Sequence, residues 1–266
     1  MHNEVQYERM RPRQIVATRQ KCPVAYLPLG TIEWHGHHGP TGFDTITSHA
    51  LAIRCAQATG GLVFPPLWYG ESRSEGLIET GAEDRENIHQ EMNLPTENFD
   101  PGYMRFSCQQ QYENYQRLLL HCMHQIQSLG FKLLVFTVGH YPLLDHARAA
   151  CCVFHQSRWN NKRANMITWA FVGNELIQDT HPDTAGHADY WETSLMLALE
   201  PNLIDLNELP KDPKQKPVGI ISDRPVQQAS ADFGEKAITR IVERVSTQVK
   251  DRLENPQRYR GHGWQA

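Results

Sequence analysis

The chain has 266 residues, 40% hydrophobic and 21% charged, a balance that excludes a disordered or coiled-coil protein and suffices for a sizeable core. Its formal charge of -4, with no long basic run, gives no electrostatic case for a nucleic-acid backbone or an anionic membrane, so a small molecule is the expected partner. The compositional excess is histidine: of 14, seven fall in three clusters, His35, His37 and His38, then His140 and His146, then His181 and His187.

The start, MHNEVQYERMRPRQ, lacks the apolar region of a signal peptide, and no apolar stretch reaches the length of about 18 residues that a membrane helix needs, so a cytoplasmic location is expected. Six cysteines (22, 55, 108, 122, 151, 152) have no C-x-x-C spacing and read as reduced core residues.

In chain order, CPVAYLPL (22–29) reads as a strand, ITSHALAIRCAQAT (46–59) as a helix and LVFPPL (62–67) as a strand. Residues 109–130 carry Tyr112, Tyr115, Leu119, Cys122, Met123 and Ile126 on one helical stripe that ends at Gly130, and KLLVFTV (132–138) follows as a buried strand. Residues 143–157 read as helix, 164–172 as strand, 188–199 as helix and 231–255 as a long amphipathic helix. Continuous apolar strands between such helices predict an α/β fold, a three-layer α/β/α sandwich on a mostly parallel sheet. A single domain over 1–266 is the simplest division, with an irregular lid or interface loop at about 69–106 that exceeds the usual connection.

The strongest local signal is PLGTIEWHGHHGPTGFDT (28–45), which places Glu33, His35, His37, His38 and Asp44 directly after a strand. In open α/β sheets ligands bind outside the carboxyl ends of the strands. Carboxylate oxygen with imidazole nitrogen suits zinc, manganese or iron, and Asp44 has two oxygens with which to bridge two ions. The alternative is a solvated polar loop or a hydrogen-bonded network at a helix start. His140 follows Gly139 at the end of a second strand and can reach the same sheet edge, as a ligand or as a satisfied structural histidine. A third segment, HPDTAGHADYWETS (181–194), offers Asp183, His187 and Glu192. For His187 and Glu192 to share a site, His187 must sit in a loop or cap position; otherwise they cap the helix.

Taken together, these motifs resemble those of the creatininase, or creatinine amidohydrolase, family. The pattern E-x-H-G-x-H-x-P-x-x-x-D is matched by Glu33, His35, Gly36, His38, Pro40 and Asp44, the G-H element by Gly139 and His140, and H-A-x-x-x-E-T-S by His187, Ala188, Glu192, Thr193 and Ser194. A-S-A-D-F-G (229–234) is similar to the family's A-T-A-E-x-G. The resemblance implies a metal-dependent hydrolase with one or two divalent ions, zinc or manganese first and iron next. Its implied metal ligands are Glu33, His35, Asp44 and His140, with Asp44 bridging; with Pro142 in place of the family's glutamate, either Glu192 supplies a further oxygen, water fills the place, or one tightly held ion remains. Its implied catalytic set is His187 for proton transfer, with Glu192 and Asp44. It also implies a small polar cyclic substrate and a homo-oligomer, often a hexamer.

The chain departs from the family pattern at Pro142, where creatinine-active members carry the glutamate of G-H-Y-E, and in the stretch ESRSEGLIETGAEDRENIHQEM. The altered loop makes Glu71, Arg73, Glu75, Glu79 and His89 candidates for reading a polar substrate, with Trp34 and Tyr141 as pocket walls. Cyclic amide cleavage is the first expectation. Hydrolytic carbon–carbon opening of a cyclic polyol ketone such as a dehydro-inosose is the second, and a non-catalytic protein that binds metal and a small molecule is the third.

Overall fold

The computed structural model describes residues 4–157, 165–181 and 186–259. Four strands, β1 (Val24–Leu29), β2 (Leu62–Val63), β3 (Leu133–Val138) and β4 (Ile167–Val172), form an all-parallel sheet in the order β2-β1-β3-β4. Each longer strand is buried along its whole length, which is why its sequence is a continuous apolar run rather than an alternation. Side chains nevertheless divide by the period of two. Val24, Tyr26, Leu133, Val135, Ile167, Trp169 and Phe171 join one core, and Ala25, Leu27, Leu29, Leu134, Phe136, Val138, Ala170 and Val172 join the other.

The first core is closed by α2 (Phe43–Thr59), α7 (Tyr190–Leu199) and α8 (Ala231–Glu254), the second by α5 (Cys108–Ser128) and α6 (Leu143–Ser157). This is the three-layer α/β/α arrangement expected from the sequence. An N-terminal helix, α1 (Pro12–Lys21), was not anticipated: it has no fully buried residue, so no apolar stripe announced it.

Two of the boundaries that differ from the sequence reading have a plain physical cause. The strand expected over 62–67 shortens to Leu62–Val63 because Pro65 and Pro66 have no N–H to give, although Phe64 and Leu67 still donate to Tyr26 and Pro28. Helix α2 starts at Phe43, three residues early, behind a glycine cap with no side-chain signal, and so carries Asp44 in its first turn. The stretch 69–106 holds two short helices, α3 (Ile78–Gly81) and α4 (Arg85–Glu91), and a 3-10 turn at Thr96–Phe99. Residues 182–185, with Asp183, lie outside the described residues.

β1 leads through α2 to β2 on one side, whereas β3 lies on its other side and leads through α6 to β4. The direction in which successive strands are added therefore reverses between β1 and β3, and their carboxyl ends flank the crevice where open α/β sheets bind ligands. Gly30 ends β1 and Gly139 ends β3, and both back directly onto the first turn of α2: a Cβ at Gly139 would run into the Asp44 carbonyl, one at Gly30 into Thr45. The glycines thus let the helix that carries Asp44 sit on the two strand ends. Gly139→Ala should destabilise the fold by about 1–3 kcal/mol through overpacking against rigid backbone. Urea unfolding reads this, and an unchanged midpoint would show that the helix start yields freely.

Candidate metal centre

Glu33, His35, Asp44 and His140 converge in the crevice, each with at most 8% of its surface exposed. The Glu33 carboxylate is divided between two tasks. Its Oε1 accepts the Ile78 N–H at 2.6 Å, while Oε2 points inward without a hydrogen-bond partner, 3.2 Å from His140 Nδ1 and 3.9 Å from His187 Nδ1. Asp44 is divided in the same way. Its Oδ1 pairs with His35 Nε2 at 3.0 Å, and the unsatisfied Oδ2 lies 3.1 Å from His140 Nδ1. The His35 ring is stacked on Phe43 with centroids 4.7 Å apart, and its Nδ1 is 3.1 Å from the Glu33 carbonyl.

Two overlapping donor groups result, Glu33 with Asp44 and His140, and Glu33 with His35 and His187, each with its ligand atoms within 4.8 Å of one another. Two buried carboxylate oxygens without partners are costly unless something positive meets them. In the chain itself the imidazoles answer them. Burial works to lower the pKa of His35, but Asp44 overrides it and pushes the ring up to about 9; His140 is likewise raised against burial, by Asp44, Glu33 and Glu71. Burial raises Asp44, yet His35 and His140 outweigh it and hold its carboxyl far below the usual range. The mixed nitrogen and oxygen set, the shared Glu33 and the unpartnered oxygens fit a divalent ion of the zinc or manganese kind.

His187 reaches the cluster from an extended position before α7, held by reciprocal backbone bonds with Ile221, His187 N–H to the Ile221 carbonyl at 2.8 Å and the reverse at 3.0 Å. The next residue, Ala188, takes the left-handed conformation at φ 51° that swings the chain into the helix. His187 Nε2 lies 2.6 Å from the Trp34 carbonyl, so this nitrogen carries the hydrogen and Nδ1 is the acceptor facing Glu33. Burial and the charge on His35 draw its pKa down to about 4, so the ring is neutral at physiological pH.

Glu192 belongs to neither donor group. Its Oε2 accepts the Ala188 N–H at 2.7 Å, and its own N–H is capped by Asp189 Oδ1 at 2.8 Å. Burial and neighbouring Asp189 push its carboxyl up to about 8. One Glu192 oxygen is thus taken by the Ala188 N–H, and Glu192 lines a cavity of about 270 Å³ with Asp44, Tyr141, Asn174, Gln178 and Trp191.

His38 stands behind the centre, buried and 3.0 Å from Thr193 Oγ1, with burial pulling its pKa down to about 4. The remaining clustered histidines stay away: His37 faces Glu91, His146 packs against Tyr112 and Tyr115, and His181 lies beside Trp191 and Phe233. Most of the loop residues expected to read substrate turn inward as struts. Arg73 ties Glu79 to the Ile32 carbonyl, Glu79 accepts the Trp34 N–H at 3.1 Å, and His89 is 2.6 Å from the Glu79 carbonyl with its ring stacked on Phe99. Glu75 alone of the five is exposed, and Glu71 pairs with His140 Nε2 at 3.1 Å. Trp34 is buried with its indole N–H on the Val218 carbonyl, whereas Tyr141 is 53% exposed at the cavity mouth. Among the described residues no helix is long and apolar enough to cross a membrane.

An open parallel sheet with clustered carboxylates and imidazoles at its switch point defines an α/β protein with a candidate divalent-metal centre. The chain belongs to the creatininase family, described as creatinine amidohydrolase, whose model matches residues 8–249 and whose members are metal-dependent hydrolases. It is 24% identical over 255 residues to the creatinine amidohydrolase of Pseudomonas putida, covering 86% of this chain and 89% of that protein. A shorter stretch of 66 residues, 25% of this chain and 21% of the other, is 36% identical to the 3-dehydro-scyllo-inosose hydrolase of Thermotoga maritima. Among solved structures, a manganese creatininase superposes with a TM-score of 0.70 at 22% identity, covering 96% of this chain and all of the other. A mutant creatininase of Zn-Zn type gives 0.69 at 22% identity, covering 96% and 99%.

Proposed function

We propose that the chain is a metal-dependent hydrolase that opens a small polar cyclic amide in the crevice between β1 and β3. The observation that carries this reading is the pair of buried, unpartnered oxygens, Glu33 Oε2 and Asp44 Oδ2, facing one His140 nitrogen. Glu33, Asp44 and His140 would hold one divalent ion, and His35 with Glu33 would offer a place for a second, beside His187. Bound there, such an ion supplies Lewis acidity toward a carbonyl oxygen and toward water.

The chain's own groups account for the rest. The cavity beside Asp44 and Glu192 offers Asn174 and Gln178 to a polar ring and Trp191 and Tyr141 as walls. His187, neutral and with Nδ1 free to accept, takes a proton from the attacking water as the carbon–oxygen bond forms. It returns that proton to the ring nitrogen as the carbon–nitrogen bond breaks, so one water is consumed and the base is regenerated. Glu192, capped and raised in pKa, holds the turn that presents His187.

A second reading rests on Pro142 and on the local similarity to the inosose hydrolase: carbon–carbon opening of a cyclic polyol ketone. Metal analysis of the purified protein followed by turnover of cyclic amides and cyclic polyol ketones in ¹⁸O water separates the readings. The expected result is bound divalent metal and label in the carboxylate of an opened amide. Turnover of ketones alone would install the second reading, and metal without turnover of either class would leave a binding protein. A homo-oligomer fits the apolar side chains left exposed at Tyr69, Tyr103, Met104, Phe106 and Leu118; sedimentation at a monomer's mass would remove that part.

A further inference from the structure

Glu71 opens the charged stretch 71–92, and it does not face solvent: its side chain is 4% exposed. Oε2 lies 3.1 Å from His140 Nε2, and Oε1 accepts the Tyr112 hydroxyl at 2.7 Å, so the carboxylate is clamped between α5 and the end of β3. Burial tends to raise its pKa, but the bonds from His140 and Tyr112 prevail and keep the carboxyl below its ordinary value. Gly76 leaves the space, because a Cβ there would collide with the Glu71 carboxylate.

The consequence lies on the other side of the ring. A neutral imidazole has one N–H and one lone pair. His140 Nδ1 looks at two carboxylate oxygens, Glu33 Oε2 at 3.2 Å and Asp44 Oδ2 at 3.1 Å, each of which would welcome a hydrogen. With no acceptor at Nε2, the favoured tautomer would put the hydrogen on Nδ1, turning the ring into a donor where a ligand is needed. An anionic acceptor at Nε2 reverses that preference and makes Nδ1 more basic.

We infer that Glu71 is a positioning residue for the metal centre, holding the His140 hydrogen on Nε2 so that the Nδ1 lone pair faces Glu33 and Asp44, with Tyr112 fixing Glu71 in turn. This rests on the proposal that the cluster holds a metal ion. Glu71 therefore acts through His140 rather than on substrate, and a carboxylate offered from sequence as a substrate reader becomes part of the support of a ligand.

The test is titration of Mn²⁺ or Zn²⁺, in competition with a chelator, into metal-free wild type, Glu71→Gln, Glu71→Ala, Tyr112→Phe and Gly76→Ala, with circular dichroism to verify folding. Glu71→Gln keeps the shape and loses the charge, so it carries the test even where Glu71→Ala does not fold. The expected result is an affinity about 10–100-fold weaker for both Glu71 variants, as for other carboxylates behind metal-bound histidines. Tyr112→Phe and Gly76→Ala should show smaller losses, all at unchanged stoichiometry, and the visible spectrum of the Co²⁺-loaded Glu71→Gln protein should keep its band positions. Wild-type affinity in Glu71→Gln would overturn the inference while leaving the metal centre standing. A lost ion with shifted Co²⁺ bands would also overturn it, by making Glu71 itself a ligand. Absence of metal uptake by the wild type would sink both the centre and the inference, an outcome distinguishable from the other two because no variant would differ from it.

Discussion

Asp44→Ala should leave the protein without stoichiometric divalent metal and without turnover. Asp44 meets both His35 and His140, one with each oxygen, so its removal takes a ligand from the centre and the partner from two buried imidazoles. Leaving a buried polar group unpaired costs about 1–3 kcal/mol, more for a charged one, so a lower unfolding midpoint is expected as well. The two effects can be separated. Added Mn²⁺ should raise the wild-type midpoint by mass action, by about 4 kcal/mol of stability when the ion is at 1,000 times its dissociation constant. The variant should show no such rise. Metal content equal to wild type, with the same thermal response to Mn²⁺, would remove Asp44 from the centre.

His187→Ala should lower kcat by about 10²–10⁴-fold, the range for loss of a positioned acid or base, while metal content stays at the wild-type level. The expectation follows from its geometry: Nε2–H is committed to the Trp34 carbonyl, and Nδ1 stands 3.9 Å from Glu33 Oε2, farther than the His140 nitrogen at 3.2 Å. Loss of one ion per chain in His187→Ala would instead place His187 among the ligands, through the group it forms with Glu33 and His35. An unaffected rate with full metal would remove it from the reaction.

Both effects depend on support that begins far from the centre in sequence. Ile78 and Arg73 reach it from 69–106, Ile78 by binding Glu33 Oε1 and Arg73 by fixing Glu79 against the Trp34 N–H. The reciprocal Ile221 bonds do the same for His187. The stretch 69–106, read from sequence as a lid or interface loop, thus also supplies bonds that aim the carboxylates.

The strands, the long helices and the parallel sheet were legible in the sequence because each follows from local periodicity: continuous apolar runs for strands buried on both faces, and apolar stripes at helical spacing for α5 and α8. The convergence of Glu33, His35, Asp44 and His140 was legible too, since Glu33, His35 and His140 follow strand ends and Asp44 lies in the same segment as the first two, and such edges are where α/β sheets gather ligands. What only the tertiary structure decided was the partner of each side chain. Glu192 is offered by the sequence as a further ligand oxygen, and it is the fold that turns its Oε2 onto the N–H of the left-handed Ala188. Glu71 and Glu79 look alike in a charged loop, yet one is turned onto His140 and the other onto Trp34 and Arg73. Spacing along a chain specifies which face or loop a residue occupies. Which atom it meets across the crevice is fixed by how helices, strands and loop close over one another, and no local pattern records that.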